Sequence, residues 1–268
     1  MEKLNAGQLM EIFFQNGHYA DMKAAEKKAD SYKKHIRRIM DSGTRKRLEL
    51  PHQNIVLKYM KKSVSTIDQI GLNEYLVDVG IFPLVAEIDA KKAKGNELLD
   101  LYQLPREHTL GIAVNGNGKV DIDVPNVEGL KLKPLVDRYV HFNKINKEVS
   151  ESYEKLKKQM ISCPQLAEVK KMKHKYGSVY LKELPPKYDN QAIVDDLGLD
   201  FLINMGKPNG ELLDKFILQG TITKGDIDQF KTVVDYRMDF IIMDLDSENN
   251  MMEFLQSKRM TAAQNFAR

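Results

Sequence analysis

From residue 134 to residue 161 one side of the chain repeats every seven residues. Leu135, Tyr139, Phe142, Asn146, Val149, Tyr153, Leu156 and Met160 are spaced 4, 3, 4, 3, 4, 3, 4. That period keeps its members on one side of an α-helix and scatters them over both faces of a strand. The spacing predicts a helix that starts at Pro134, ends near Ile161 and spans roughly 40 Å at 1.5 Å per residue. A helix this long draws its stability from burying its seam against a neighbour. Asn146 falls at an a position, where a buried amide fixes register. The eight residues are therefore the expected oligomer interface of a coiled-coil-like assembly.

The same period recurs elsewhere. Met22, Ala25, Ala29, Tyr32, Ile36 and Ile39 predict a helix over 19–41, stopped by Gly43. Pro51 is placed to open a helix carrying Ile55, Val56, Tyr59 and Met60. Ser65 and Asp68 form a capping-box pattern ahead of Ile67, Ile70, Leu76 and Val77. A further helix follows Pro83 and stops at Gly95. After the break at Ser162-Cys163-Pro164, Leu166, Val169, Met172 and Tyr176 predict a helix that folds back on the long one as an antiparallel helical hairpin. Short helices around 192–199 and 211–218 precede a second capping box, Thr223 with Asp226. That box opens a long helix reaching about Lys258, with Ile227, Phe230, Val234, Met238, Ile241, Leu245, Met252 and Leu255 on its apolar side.

Residues 109–124 break the pattern. Two aliphatic arms flank Asn115-Gly116-Asn117-Gly118, a β-hairpin signal fenced by Pro105 and Pro125. The expected fold class is thus mainly α: a helical bundle or elongated helical assembly with long heptad-patterned helices and one small β-hairpin. Its regions are an N-terminal helical part (1–104), a hairpin insertion (105–126) and a C-terminal helical part (127–268), read as one cooperative unit.

Charge is sorted along the chain. Residues 1–62 carry 14 Lys+Arg against 7 Asp+Glu, 63–128 carry 5 against 11, 129–182 carry 13 against 5, and 183–257 carry 6 against 15. The net +3 therefore hides segments of strong single sign, which present charged faces to partners or neutralise one another across interfaces. No run approaches the ~18–20 apolar residues of a membrane span, and the start lacks the pattern of a signal peptide. Cys163 is the single cysteine, which excludes an internal disulfide. The expected setting is a reducing one, cytoplasm or virion, with no membrane.

Catalytic and cofactor patterns are weak. The six histidines show no metal-site pairing on one helix. Gly116–Lys119 lacks the remaining glycine and the Ser/Thr of a phosphate loop. Asn115, Asn117, Gly118 and Asp121 fit part of a calcium loop, but Ala113 and Val124 stand where its strongest carboxylates belong. Asp244, Asp246 and Glu248 follow an apolar run and form the best candidate for a metal-assisted site. An acidic helix face explains them more simply. No catalytic residue, cofactor or metal is expected, and no enzymatic activity.

Two basic runs carry more weight. Lys23, Lys27, Lys34 and Arg38 share one side of the first long helix and lead into Arg45-Lys46-Arg47. Lys170, Lys171, Lys173 and Lys175 are interleaved with Met172, His174 and Tyr176. Such runs neutralise phosphates without reading bases. The expected function is a non-enzymatic assembly subunit of a larger complex, of the viral or phage connector or scaffold kind, either a homo-oligomer or one part of a multiprotein assembly. The alternative is a sequence-nonspecific nucleic-acid-binding accessory protein using these two basic runs.

Overall fold

The computed structural model describes residues 4–266, with 58% helix and 22% strand. Among the described residues eight strands form three small antiparallel sheets. This mixed α/β fold replaces the expected mainly α bundle with one hairpin.

In chain order, α1 (Ala6–Gln15) opens on a capping box. The Gln8 amide donates to Asn5 Oδ1 at 3.0 Å, and the Asn5 amide donates to Gln8 Oε1 at 2.9 Å. α2 (His18–Ser42) buries Ala25, Ala29, Tyr32 and Ile36 of the seam its spacing predicts, but Met40 in place of Ile39, which is exposed. Then come β1 (Arg47–Leu50), β2 (Ile55–Ile67), α3 (Gln69–Asp78), α4 (Phe82–Val85), β3 (Ala86–Ile88), α5 (Ala90–Ala93) and β4 (His108–Val114). The long helix α6 (Leu132–Ile161) leads into α7 (Pro164–Val169), β5 (Lys171–His174) and β6 (Gly177–Glu183). The chain continues through α8 (Asn190–Leu197), α9 (Leu199–Met205), β7 (Gly206–Pro208), α10 (Gly210–Gln219), α11 (Lys224–Asp228), β8 (Lys231–Asp244) and α12 (Leu245–Phe266).

Four segments expected to be helical are strands. β3 interrupts the helix expected between Pro83 and Gly95, because Ala86–Ile88 pairs with Gly206–Pro208 of β7. β2, expected as the helix after Pro51, pairs along its length with β8, from Ile55 opposite Asp244 to Ile67 opposite Lys231. β8 was expected within the last long helix. The capping box of Thr223 and Asp226 does form, but α11 behind it is only five residues long. Val233, Val234, Tyr236, Phe240, Ile241 and Ile242 favour a pleated surface, and the pairing with β2 decides the matter. The fourth is β5. α7 ends at Lys170 in the left-handed conformation, φ 56°, and the chain turns back at Lys175-Tyr176 into β6. The helical hairpin behind α6 is therefore a β-hairpin.

The expected hairpin at 109–124 is also rebuilt. Its first arm is β4, but the strand beside β4 is β6, and 119–124 forms no strand. Asn115 explains the change. Its Oδ1 accepts from the Asn117 amide at 2.9 Å and turns the glycine run into one 3-10 turn. Its Nδ2 donates to Lys175 O at 3.0 Å, tying that turn to the tip of the β5–β6 hairpin. A Cβ on Gly118 would lie 2.6 Å from Tyr176 O, so only glycine fits this contact.

The chain divides into two compact units. The first joins Met1–Lys46 to Glu107–Leu184, and the second joins Arg47–Arg106 to Pro185–Arg268. In the first, α1, α6 and α7 cover one face of the sheet β4-β6-β5, burying Met10, Phe13, Leu110, Met160, Leu166 and Val179, while α2 runs along α6. In the second, helices pack around the β3–β7 ladder over a core that includes Leu72, Leu76, Phe82, Leu99, Ile193 and Leu202. Asn73 is buried there, and its Nδ2 donates to Ile203 O at 2.8 Å and Gly206 O at 3.0 Å, which satisfies two carbonyls where α9 meets β7. The charge blocks divide with the units: 24 Lys+Arg against 16 Asp+Glu in the first, 17 against 22 in the second. One unit is basic at +8 and the other acidic at −5.

Candidate interaction surfaces

In the acidic unit β2 and β8 form a ribbon that outruns the rest of its sheet. β1 flanks β2 only from Ile55 to Lys58, and β8 is an edge strand. Ile55, Val56, Leu57 and Phe240 are buried at the base, whereas most of 61–67 and 232–238 is exposed. Side chains of opposed residues share a face. Tyr59, Lys61 and Ile67 therefore lie on one face with Phe240, Met238, Tyr236 and Val233, and Lys62 lies on the other with Asp235, Arg237 and Asp239. The first face carries an apolar stripe, with Tyr236 54% exposed and Met238 45%, bordered by Lys61, Ser63, Ser65 and Lys231, and Lys61 Nζ sits 3.6 Å from the Tyr236 ring centroid. The second is mainly charged, with Lys62 Nζ 2.8 Å from Asp239 Oδ2 and Arg237 Nε 3.4 Å from Asp239 Oδ1, alongside Met60 and Val64. A register shift between Val64 and Ser65 leaves Val234 as an extra residue on β8. Bulges and charges on an edge discourage further strands from adding there.

The acidic triplet at the ribbon base is already committed. Glu248, at the start of α12, is buried and accepts both Arg47 guanidinium nitrogens, at 2.7 and 2.9 Å, together with the Lys58 ammonium. These two cations hold its carboxyl down at about 2, Arg47 contributing most. Asn54 Nδ2 donates to Asp246 Oδ2 at 2.6 Å, and Ser247 Oγ donates to Asp244 Oδ2 at 3.2 Å. The carboxylates thus pin β1 and β2 to α12.

In the basic unit the eight heptad residues all lie on the inner side of α6. Leu135, Tyr139 and Met160 are buried, and Phe142, Asn146, Val149, Tyr153 and Leu156 are half-buried. Phe142 stacks on Tyr32 of α2, with centroids 5.9 Å apart. Tyr153 meets Phe13 of α1 at 5.6 Å, and burial pushes its hydroxyl up to about 12. Asn146 Oδ1 accepts from Ser150 Oγ at 3.5 Å.

The basic candidates separate. On α2, Lys23 Nζ pairs with Glu26 at 2.7 Å and Lys27 Nζ donates to Ile122 O at 3.2 Å, while Lys34 and Arg38 are exposed. Arg45 and Lys46 are exposed at the end of this segment, and Arg47 belongs to the other unit, on Glu248. Lys170 caps α7, and Lys175 lies in the hairpin turn. Lys171 and Lys173 come together on β5 opposite Tyr180 and Ser178 of β6. With Lys182 of β6 and Thr109, Gly111 and Ala113 of β4 they make up the sheet face turned away from the core. That face holds three lysines, one tyrosine and no carboxylate. Among the described residues none of the three lysines is in an ion pair.

Tyr180 and Lys182 escaped the sequence reading. The signal was there in the period-2 rows Lys171-x-Lys173 and Ser178-x-Tyr180-x-Lys182, but it was overshadowed by the helical stripe of Leu166, Val169, Met172 and Tyr176. Among the described residues no helix is long and apolar enough to cross a membrane. Comparison with protein-family models, curated proteins and solved structures finds no match to the chain.

Proposed function

We propose that this protein is a non-enzymatic assembly subunit that joins copies of itself through the apolar face of the β2–β8 ribbon. The observation that carries this reading is the stripe of Ile67, Val233, Tyr236 and Met238, each about half exposed among the described residues where the ribbon runs beyond β1 as two strands. A two-stranded ribbon alone is marginal in water, and an apolar face is stabilised by burial against another. The charged, bulged edge of β8 disfavours strand addition, which leaves the face as the contact. Two copies related by a twofold axis would lay identical stripes against one another at the ~10 Å spacing of packed sheets. By analogy, such a device suits a repeated subunit of a larger particle.

Sedimentation velocity at high micromolar concentration tests this reading. The wild type is expected to sediment as an oligomer. Tyr236→Lys combined with Met238→Lys is expected to sediment as a monomer with an unchanged far-UV spectrum, because both side chains are already half in solvent. Identical oligomers from the two proteins would overturn the assignment to this face.

A further inference from the structure

We infer that the open face of the β4-β6-β5 sheet binds single-stranded nucleic acid, with Tyr180 stacking a base and Lys171, Lys173 and Lys182 neutralising phosphates. The inference is independent of the ribbon and rests on how the sheet sorts its side chains.

The inner face is covered. Leu110, Val179 and their neighbours pack on α1, α6 and α7. Alternation along the strands sends every lysine of the three strands to the other face: Lys171 lies directly opposite Tyr180, Lys173 two residues along β5, and Lys182 two residues along β6. At two residues per ~7 Å, the backbone positions of Lys173 and Lys182 lie on either side of Tyr180 along the strands, with Lys171 beside it on β5. Glycine at 111 makes room for that ring. A Cβ there would fall inside the van der Waals envelope of Tyr180, so the phenol lies across the bare backbone of β4. The result is a flat aromatic platform flanked by cations on a unit whose net charge is +8.

Cations on a sheet attract any polyanion, but the ring narrows the choice. An aromatic face in the middle of phosphate-seeking cations serves bases that are free to unstack, as in a single strand, and every base has a π-face. The absence of arginine from this face removes the bidentate base-edge contact that reads guanine, so binding is expected to be independent of sequence. A carboxylate-rich protein segment would satisfy the lysines equally well and leave the ring unused, and the test separates the two.

Fluorescence anisotropy of the full chain is measured with a labelled oligothymidylate, the same oligomer made abasic, and poly-glutamate. With three phosphates neutralised, log affinity is expected to fall with log salt at a slope of roughly −2, about −0.7 per phosphate on a single strand. Loss of one stacked base is expected to weaken binding roughly 5- to 100-fold, both for the abasic strand on wild type and for Tyr180→Ala on the normal strand, while Tyr180→Phe retains it. Lys171→Gln, Lys173→Gln and Lys182→Gln together are expected to abolish the salt slope without affecting the fold. The abasic strand carries the stacking test even if Tyr180→Ala unfolds. Equal affinity for normal and abasic strands, poly-glutamate binding as well as the oligonucleotide, or no binding at low salt would each overturn the inference.

Discussion

The two units differ in surface chemistry more than in architecture. Of the 21 large hydrophobic side chains exposed among the described residues, 15 belong to the acidic unit and 6 to the basic one. The acidic unit displays apolar groups on its ribbon and on α12, at Met252, Phe254, Leu255 and Met260. The basic unit gathers lysines on an open sheet face. An apolar surface that water disfavours and a cationic surface that salt screens respond oppositely to ionic strength. The difference teaches that this chain sorts its exposed side chains into two physical kinds, apolar mostly in one unit and cationic mostly in the other.

The largest expected effect comes from removing a buried ring. Phe82 is fully buried in the acidic unit, and Phe82→Ala is expected to cost about 3–5 kcal/mol by urea unfolding. A cost below about 1 kcal/mol would mean that this core is loosely packed. Next is the clamp on Glu248. Glu248→Gln leaves Arg47 and Lys58 without their shared carboxylate, and because Arg47 is half exposed the loss is expected to be roughly 1–3 kcal/mol.

Acid sharpens the comparison further. Burial pushes the His174 imidazole below its ordinary 6.5, against an opposing pull from Glu11, and its Nε2 is buried without a partner. The folded basic unit therefore takes up this proton less readily than the unfolded chain, and it loses stability as pH falls below about 6.5. Glu248 is held down at about 2 against an ordinary 4.5, so its contribution is complete above 4.5 and lost as pH falls toward 2. Amide exchange followed across an acid titration should show β5 loosening before the strands at the ribbon base; the reverse order would contradict these assignments. The smallest expected effect is at Lys62. Its pair with Asp239 is exposed on the polar face, so Lys62→Gln should change stability by at most about 0.5 kcal/mol and leave self-association untouched.

Much of the helical framework was legible. α6 turns its specified seam inward, α2 does so except at Ile39, and α8, α10 and the capping box at Thr223 form near their expected positions. What escaped was pairing between distant segments. Ile55, Val56, Tyr59 and Met60 fit a helical stripe as well as a strand, and only β8, more than 170 residues away, settles the choice. The Asn-Gly turn reads as a turn from sequence, but β4 pairs with Gly177–Glu183, a strand far along the chain beyond α6. The charge blocks were legible as a pattern, yet their meaning as one basic and one acidic unit required the fold that brings 1–46 together with 107–184. The ribbon lies on β2 and β8, whose segments fit helical stripes, and the basic face joins β5, which also fits one, to the hairpin arm β4 and to β6, where no element was expected, so neither face could be assembled from local spacing.

The most direct test is the salt dependence of wild-type self-association, followed by sedimentation equilibrium from low to high ionic strength. Association through the apolar ribbon face should hold or tighten as salt rises, because burial of Tyr236 and Met238 is not screened. A chain that is monomeric at every salt concentration, or an oligomer that falls apart as salt is added, would contradict it.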